Sequence, residues 1–313
     1  MALVTRVYFN AVFGALGGLL GWMLFGVFGD KNAPTDRVTW QLLLGGAFIG
    51  GAIGYFLVSV EAIRDRSLLR FVRLASYGVA LGLLGGALGI WVGDWVHFQL
   101  VGLLGSRSHA GGAAHLVGTM LARGLGWMFL GMAIGISEGI AARSLGKFSY
   151  STIGGAIGGF VGGALFHFAY SFTFHEGGSA AVPGAVGLVI LGACIGSLSA
   201  LVQGVFQPAS LKVLRGWQEG REYPLDKPNN KLGRDEHADI ALFRDMRVEK
   251  QHALIQRDGP RYLLVNASAP ADYTRVNGVP VATYHELHDG DRIQLGQVVL
   301  RFQLRVAHNR RRR

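Results

Sequence analysis

Residues 151–174 read STIGGAIGGFVGGALFHFAYSFTF. These 24 residues contain no aspartate, glutamate, lysine or arginine, and a helix needs only about 20 apolar residues to cross the hydrocarbon core of a bilayer. The glycines fall in pairs, Gly154-Gly155, Gly158-Gly159 and Gly162-Gly163. At spacings of three and four they strip side chains from one helix face, so that a second backbone can lie against it. The segment therefore predicts a transmembrane helix that depends on close packing against other helices.

Apolar runs of similar length recur near 7–29, 39–60, 74–96, 116–141 and 184–206, which makes six spans. The first is too long for the apolar region of a secretory signal, and five more spans follow it. Half of the 313 residues are hydrophobic, only 16% are charged, and 48 are glycine, against about 7% glycine in an average protein. The glycine excess stops near 206, and from Lys212 onward the chain reads as an ordinary charged soluble domain. The boundary falls near Gln207-Pro208, with 207–210 as a short linker.

Charge gives an orientation. Arg6, then Arg64, Arg66, Arg70 and Arg73, then Arg143 and Lys147 lie in short loops on one side, whereas the other side offers Lys31, Arg37 and Arg107. By the positive-inside rule both termini are expected in the cytoplasm, as in a multi-pass plasma (inner) membrane protein. The formal charge of +10 includes these arginines and the Arg310–Arg313 tail, and basic charge beside apolar spans points to anionic lipid rather than nucleic acid. Arg123 falls inside the fourth span, so that either the helix starts after it or it faces a polar cavity.

The membrane half repeats itself. Glu61-Ala-Ile-Arg-Asp-Arg66-Ser-Leu68 returns as Glu138-Gly-Ile-Ala-Ala-Arg143-Ser-Leu145, an offset of 138 − 61 = 77. At the same offset Gly78, Gly82, Gly85 and Gly86 become Gly155, Gly159, Gly162 and Gly163. Residues 39–96 and 116–174 are thus two copies of one helical hairpin. The outer helices read as halves of a third copy: Gly14 and Gly18-Leu-Leu-Gly21 mirror Gly78 and Gly82-Leu-Leu-Gly85, and Leu191-Gly-Ala-Cys-Ile-Gly196 mirrors Leu130-Gly-Met-Ala-Ile-Gly135. Helix 6 is therefore expected beside helix 1, with threefold-like packing about the membrane normal.

Few residues in this half carry chemistry. Glu61 and Glu138 are expected as interfacial carboxylates paired with nearby arginines. Asp94, His97, His109 and His115 gather near the longest outer loop without the regular spacing of a metal site. The single cysteine, Cys194, sits in an apolar run and forms no disulfide. No phosphate-binding glycine loop with its lysine, no nucleophile with a base and no helical zinc pair is present. Hence no catalytic residue, metal or cofactor is assigned, and an enzyme is the least supported class.

From Leu211 onward short alternating segments are broken by turns such as Asp258-Gly259, Asn277-Gly278 and Asp289-Gly290. The pattern predicts an antiparallel sandwich, with strands at Leu211–Trp217, Ile240–Leu242, Ala253–Gln256, Tyr262–Val265, Arg292–Leu295 and Val298–Gln303. Five motifs occur in order: Leu232-Gly233-Arg234, Asp239-Ile-Ala-Leu242, Val248-Glu-Lys-Gln-His252-Ala253, Thr274-Arg-Val-Asn277-Gly278 and Leu287-His-Asp-Gly-Asp-Arg-Ile-Gln-Leu-Gly296.

Over about 211–306 these motifs resemble the forkhead-associated (FHA) phosphothreonine-recognition module. The fold class is then a six-helix transmembrane bundle with hairpin repeats joined to an all-β FHA-like sandwich. The resemblance implies that Arg234, after Gly233, touches phosphate, that Lys250 adds a cation, that His252 braces the serine-bearing loop, and that Asn277-Gly278 forms a turn beside Thr274. This chain departs from the family twice. Glu249 stands where the family has a phosphate-binding serine, and Asp272 where it has an asparagine. An ionised carboxylate donates no hydrogen bond, and like charge at about 4 Å costs on the order of 1–4 kcal/mol. Phosphate binding is expected to weaken roughly a hundredfold, and Glu249 is placed to pair with Arg234 in the ligand's stead.

The sequence thus implies a membrane-anchored recognition or scaffold protein, a signalling component whose cytoplasmic domain binds a protein partner. The partner is phosphothreonine-containing or not, and membrane lipid is a second contact. The glycine faces serve oligomer contacts as readily as internal ones. The alternative is a transporter or channel regulated by the soluble domain, which needs a water-filled path lined by Arg123, His167 or Glu138.

Overall fold

The computed structural model describes residues 3–28, 40–65, 68–105, 113–173, 181–235, 237–267 and 269–304. The chain divides into two compact units, Ala2–Gly204 and Val205–Arg313 with Met1. Glu61, Arg64, Arg66, Arg70, Arg73, His97, His109, His115 and the Arg310–Arg313 tail lie outside the residues whose side chains are described.

Helices α1 (Leu3–Phe28), α2 (Trp40–Asp65), α3 (Leu68–Gly105), α4 (Ala113–Ala142), α5 (Leu145–Thr173) and α6 (Ala181–Phe206) make up the first unit. Each holds a stretch of 21 to 27 residues long and apolar enough to cross a membrane. Glycine decides how they meet. A methyl group added at Gly14 of α1 would strike the carbonyl oxygen of Gly192 of α6, and one at Gly192 would strike that of Gly14. The same mutual apposition joins Gly50 and Gly82 between α2 and α3, and Gly131 and Gly155 between α4 and α5.

Looser glycine contacts link these pairs. A methyl at Gly17 of α1 would lie 2.7 Å from Ile53 Cα of α2, one at Gly126 of α4 would lie 2.7 Å from Gly93 Cα of α3, and one at Gly158 of α5 would lie 2.7 Å from Ile195 Cα of α6. The six helices therefore close a ring, with α6 returning to α1 as the repeat requires.

The even-numbered helices fill its centre with Ile49, Ile53 and Leu57, with Trp127, Leu130 and Ile134, and with Leu188, Leu191 and Ile195. Ile53, Leu130 and Leu191 occupy equivalent places in the three copies and are fully buried, and so are Ile134 and Ile195.

One corner of this apolar ring is polar. Arg6 Nη2 donates to Gln203 Oε1 (2.5 Å). Gln203 Nε2 in turn donates to Glu138 Oε2 (2.5 Å) and to Ser151 Oγ (3.0 Å), and Ser151 Oγ donates to the same carboxylate (3.2 Å). Glu138 is therefore no exposed interfacial group: it is only 7% exposed. The glycine-mediated approach of α6 brings an amide to it, and buried carboxylates need such donors. Arg123 lies ten residues inside α4, so the helix starts well before it. Ser144 caps α5, accepting from Lys147 N–H (3.1 Å), directly after the left-handed Arg143 (φ 51°) that turns the chain out of α4.

Among the described residues the second unit is a sandwich of eleven strands: β1 (Ala209–Arg215), β2 (Glu222–Pro224), β3 (Asn229–Gly233), β4 (Ile240–Ala241), β5 (Ala253–Asp258), β6 (Arg261–Asn266), β7 (Thr274–Val276), β8 (Val279–Pro280), β9 (Tyr284–Leu287), β10 (Arg292–Leu295) and β11 (Val298–Leu304). One sheet runs β2-β1-β11-β10-β7-β8 and the other β4-β3-β5-β6-β9.

Alternate residues of the longer strands point inward, among them Leu211 and Val213, Leu300 and Phe302, Ile255 and Leu264, and together they form one core. Strand β1 starts at Ala209 because Ala209 and Ser210 pair with Leu304 and Gln303. Strands β2, β7 and β8 escape a pattern search because they are two or three residues long, too short to show period-two alternation; β3 and β9, of five and four residues, escape it as well.

Replacing Gly131 or Gly155 with leucine is expected to destabilise the helical unit by about 2 kcal/mol or more, whereas Gly26→Ala, with nothing within 4 Å of the added carbon, should be silent. Thermal unfolding of the three variants in detergent checks this.

Candidate functional site

Three connections of the sandwich are knitted together through the end of β3. Arg234 N–H donates to Glu249 O (2.9 Å), Asp235 N–H to Lys250 O (3.3 Å), and His252 N–H to Leu232 O (2.9 Å). The approach at Gly233 is so close that an added methyl would strike the Lys250 carbonyl oxygen, so only glycine fits. These bonds hold the β3–β4 connection, which carries Arg234, against the β4–β5 connection, which carries Glu249 and Lys250.

His252 ties in a third connection. It is fully buried; its Nδ1 accepts from Glu249 N–H (3.1 Å), which leaves Nε2 to carry the proton and donate to Thr274 Oγ1 (3.0 Å). Thr274, also fully buried, begins β7 and follows the turn Ala271–Tyr273 that holds Asp272. Burial lowers the His252 pKa from 6.5, because the charged ring would lose hydration and its second N–H would face the Glu249 N–H.

The β10–β11 turn completes this end. Gly296 N–H donates to Tyr273 O (2.8 Å), and Gln297 N–H donates to Asp245 Oδ2 (2.6 Å). Asp245 Oδ1 also accepts from Arg247 N–H (3.0 Å), so one carboxylate pins the turn between them.

Arg234 has an unusual environment. Its Nη1 donates to Met246 Sδ (2.9 Å), while its Nε is buried with no hydrogen-bond partner. Among the described residues no carboxylate pairs with it. Glu249 is exposed, with its backbone N–H and C=O both engaged, and its carboxylate does not stand in for a ligand at Arg234. Asp272 is 81% exposed, with its carboxylate 3.9 Å from Arg275 Nη2. Lys250 is exposed on the same loop as Glu249. The end of the sandwich thus offers Arg234 short of an anion, flanked by the exposed carboxylates of Glu249 and Asp272.

Residues 212–305 match the family described as "Inner membrane component of T3SS, cytoplasmic domain". No curated protein matches the chain. Solved FHA domains do. One from a study of phosphothreonine-dependent FHA interactions is 32% identical, covering 31% of this chain and 96% of its own (TM-score 0.28). The FhaA FHA domain, crystallised with the intracellular domain of Rv3910, is 32% identical over 30% of this chain and 99% of its own (TM-score 0.27). The FHA domain of CT664 from Chlamydia trachomatis is 26% identical over 31% and 96% (TM-score 0.29).

The soluble unit is an FHA domain. Such domains are interaction modules. Within the FHA domain, Gly233, Arg234, Glu249, Lys250, His252 and Thr274 come together around the three bonded connections, with Asp272 on the turn before Thr274. Asn277 does not join them. It adopts φ 51° with Gly278 at φ 86°, a pair suited to a tight hairpin, and its side chain bonds Asp291 Oδ1 (2.8 Å) and Arg292 N–H (2.9 Å). Thr274 and His252 are buried braces rather than ligand contacts. Met246 and Asp245 were not singled out from the sequence; the only signal for them was Asp245-Met246-Arg247 as a possible side-chain-capped turn.

Because the folded state keeps His252 neutral, its contribution to stability is full above about pH 6.5 and is lost as pH falls below that value. The melting temperature of the FHA domain should decline between pH 6.5 and the carboxylate range near about 4. His252→Ala should cost about 1–3 kcal/mol at neutral pH and flatten the upper part of that decline, as read by circular dichroism melts across pH.

Proposed function

We propose that this protein is a membrane-anchored recognition component whose FHA domain docks a protein partner in the cytoplasm, with phosphate helpful but not required. The observation that carries the reading is Arg234: a guanidinium on a rigid, glycine-dependent loop, with a buried Nε that no group satisfies. An unmet buried donor costs about 1–3 kcal/mol, so an anionic group from a partner would be bound there with gain.

Glu249 and Asp272 supply no donors to the remaining oxygens of a phosphate and repel its charge. They favour a partner segment that sets an acidic or phosphorylated side chain beside basic ones. Lys250 and Arg234 serve the first, and the two carboxylates the second.

The family described as an inner membrane component supports the placement, as do the six long apolar helices, and the basic loops favour cytoplasmic termini. Arg215 and Arg221 add contacts to anionic lipid. No catalytic role is proposed. A transporter or channel is less well supported, because fully buried Ile53, Leu130, Leu191, Ile134 and Ile195 occupy the centre of the ring, where an axial path would need water.

In co-purification of the full-length protein from detergent, Arg234→Ala should lose the partner by about tenfold or more. Glu249→Ser should tighten binding of phosphothreonine peptides by roughly a hundredfold. Micromolar binding of such peptides by the unmodified protein would overturn the weakened dependence on phosphate.

A further inference from the structure

Arg234 is covered by a side chain that partners it poorly. Met246 is 76% exposed, yet its sulfur takes the Nη1 proton of Arg234 at 2.9 Å. A thioether is a weak acceptor, and a guanidinium in open water would bond water instead. Nε beside it reaches neither water nor protein.

The cover does not come from a wandering loop. Met246 lies between Asp245, whose two carboxylate oxygens hold Arg247 N–H and Gln297 N–H, and Val248, which is fully buried and whose N–H donates to Asp245 O (3.1 Å). The turn is fixed, and only the methionine side chain, unbranched and with three rotatable bonds, is free to swing.

We infer that Met246 is a displaceable cover on Arg234, which an incoming peptide oxyanion must push aside, so that this residue sets how strong an anion the site accepts. The inference rests on the reading of Arg234 as the cation that anchors the partner. An oxygen from a carboxylate or phosphate makes a charge-assisted bond about twice as strong as a neutral one, enough to replace sulfur at Nη1. A neutral side chain gains too little to move it. The methionine therefore leaves the site closed when no anion is present, and a neutral side chain, which gains little from Arg234 with or without it, binds no better once it is removed.

The test uses the full-length protein in detergent and three capped pentapeptides, Ala-Ala-X-Ala-Ala, with X as phosphothreonine, glutamate or threonine. Met246→Ala should tighten the phosphothreonine and glutamate peptides by about fivefold and leave the threonine peptide unchanged. Met246→Leu, which keeps the bulk over the guanidinium, should behave as the unmodified protein. Adding Arg234→Ala to Met246→Ala should remove the gain.

The inference is overturned if Met246→Ala shows no gain or no binding of either anionic peptide, if Met246→Leu gains as much, or if the gain survives loss of Arg234. Partner co-purification separates the two readings. If Arg234→Ala weakens the partner while Met246→Ala changes nothing, only the cover falls; if Arg234→Ala leaves the partner in place, the docking role of Arg234 falls with it.

Discussion

Backbone-to-backbone approach without side chains between is the constraint on which this protein depends. In the helical unit, carbonyl oxygens of one helix occupy the space where a Cβ of the next would stand, at Gly14 and Gly192, Gly50 and Gly82, and Gly131 and Gly155. Between helices in lipid there is no hydrophobic driving force, so dispersion at such short range supplies the cohesion. The ring closes because the same contact is made three times, once in each copy of the hairpin. What remains at the centre is filled by side chains from α2, α4 and α6.

The same device builds the recognition end of the FHA domain. Gly233 lets β3 run against the Lys250 carbonyl, and the backbone bonds that follow deliver Arg234 to a fixed place. His252 then carries the rigidity onward to Thr274, using a neutral ring with one acceptor and one donor. The functional groups stand on this scaffold but belong to a different logic. Arg234 is left short of a partner, while Glu249 and Asp272 turn to solvent. Stability comes from the satisfied bonds beneath, and recognition from the unsatisfied donor above them.

Polar groups inside the ring follow the first logic rather than the second. Glu138, Gln203, Ser151 and Arg6 form a chain of hydrogen bonds across four helices, and a carboxylate so bound needs no cavity or path. Glu138, which looks like a transport residue in a linear reading, is hydrogen-bonded across helices once they are brought together.

Six spans, the hairpin repeat and the return of α6 to α1 were legible because apolar length and glycine spacing are local properties that a bilayer tolerates in few arrangements. The FHA sandwich was legible from turn glycines and five motifs in order, although strands of two or three residues left no alternation to read. Side-chain direction was not legible. That Glu138 meets Gln203, 65 residues away, and that Glu249 faces water while Met246 lies on Arg234, were decided by tertiary structure. Those outcomes depend on bonds between distant backbone segments, which set where each Cβ points, and composition or spacing along one segment carries no record of them.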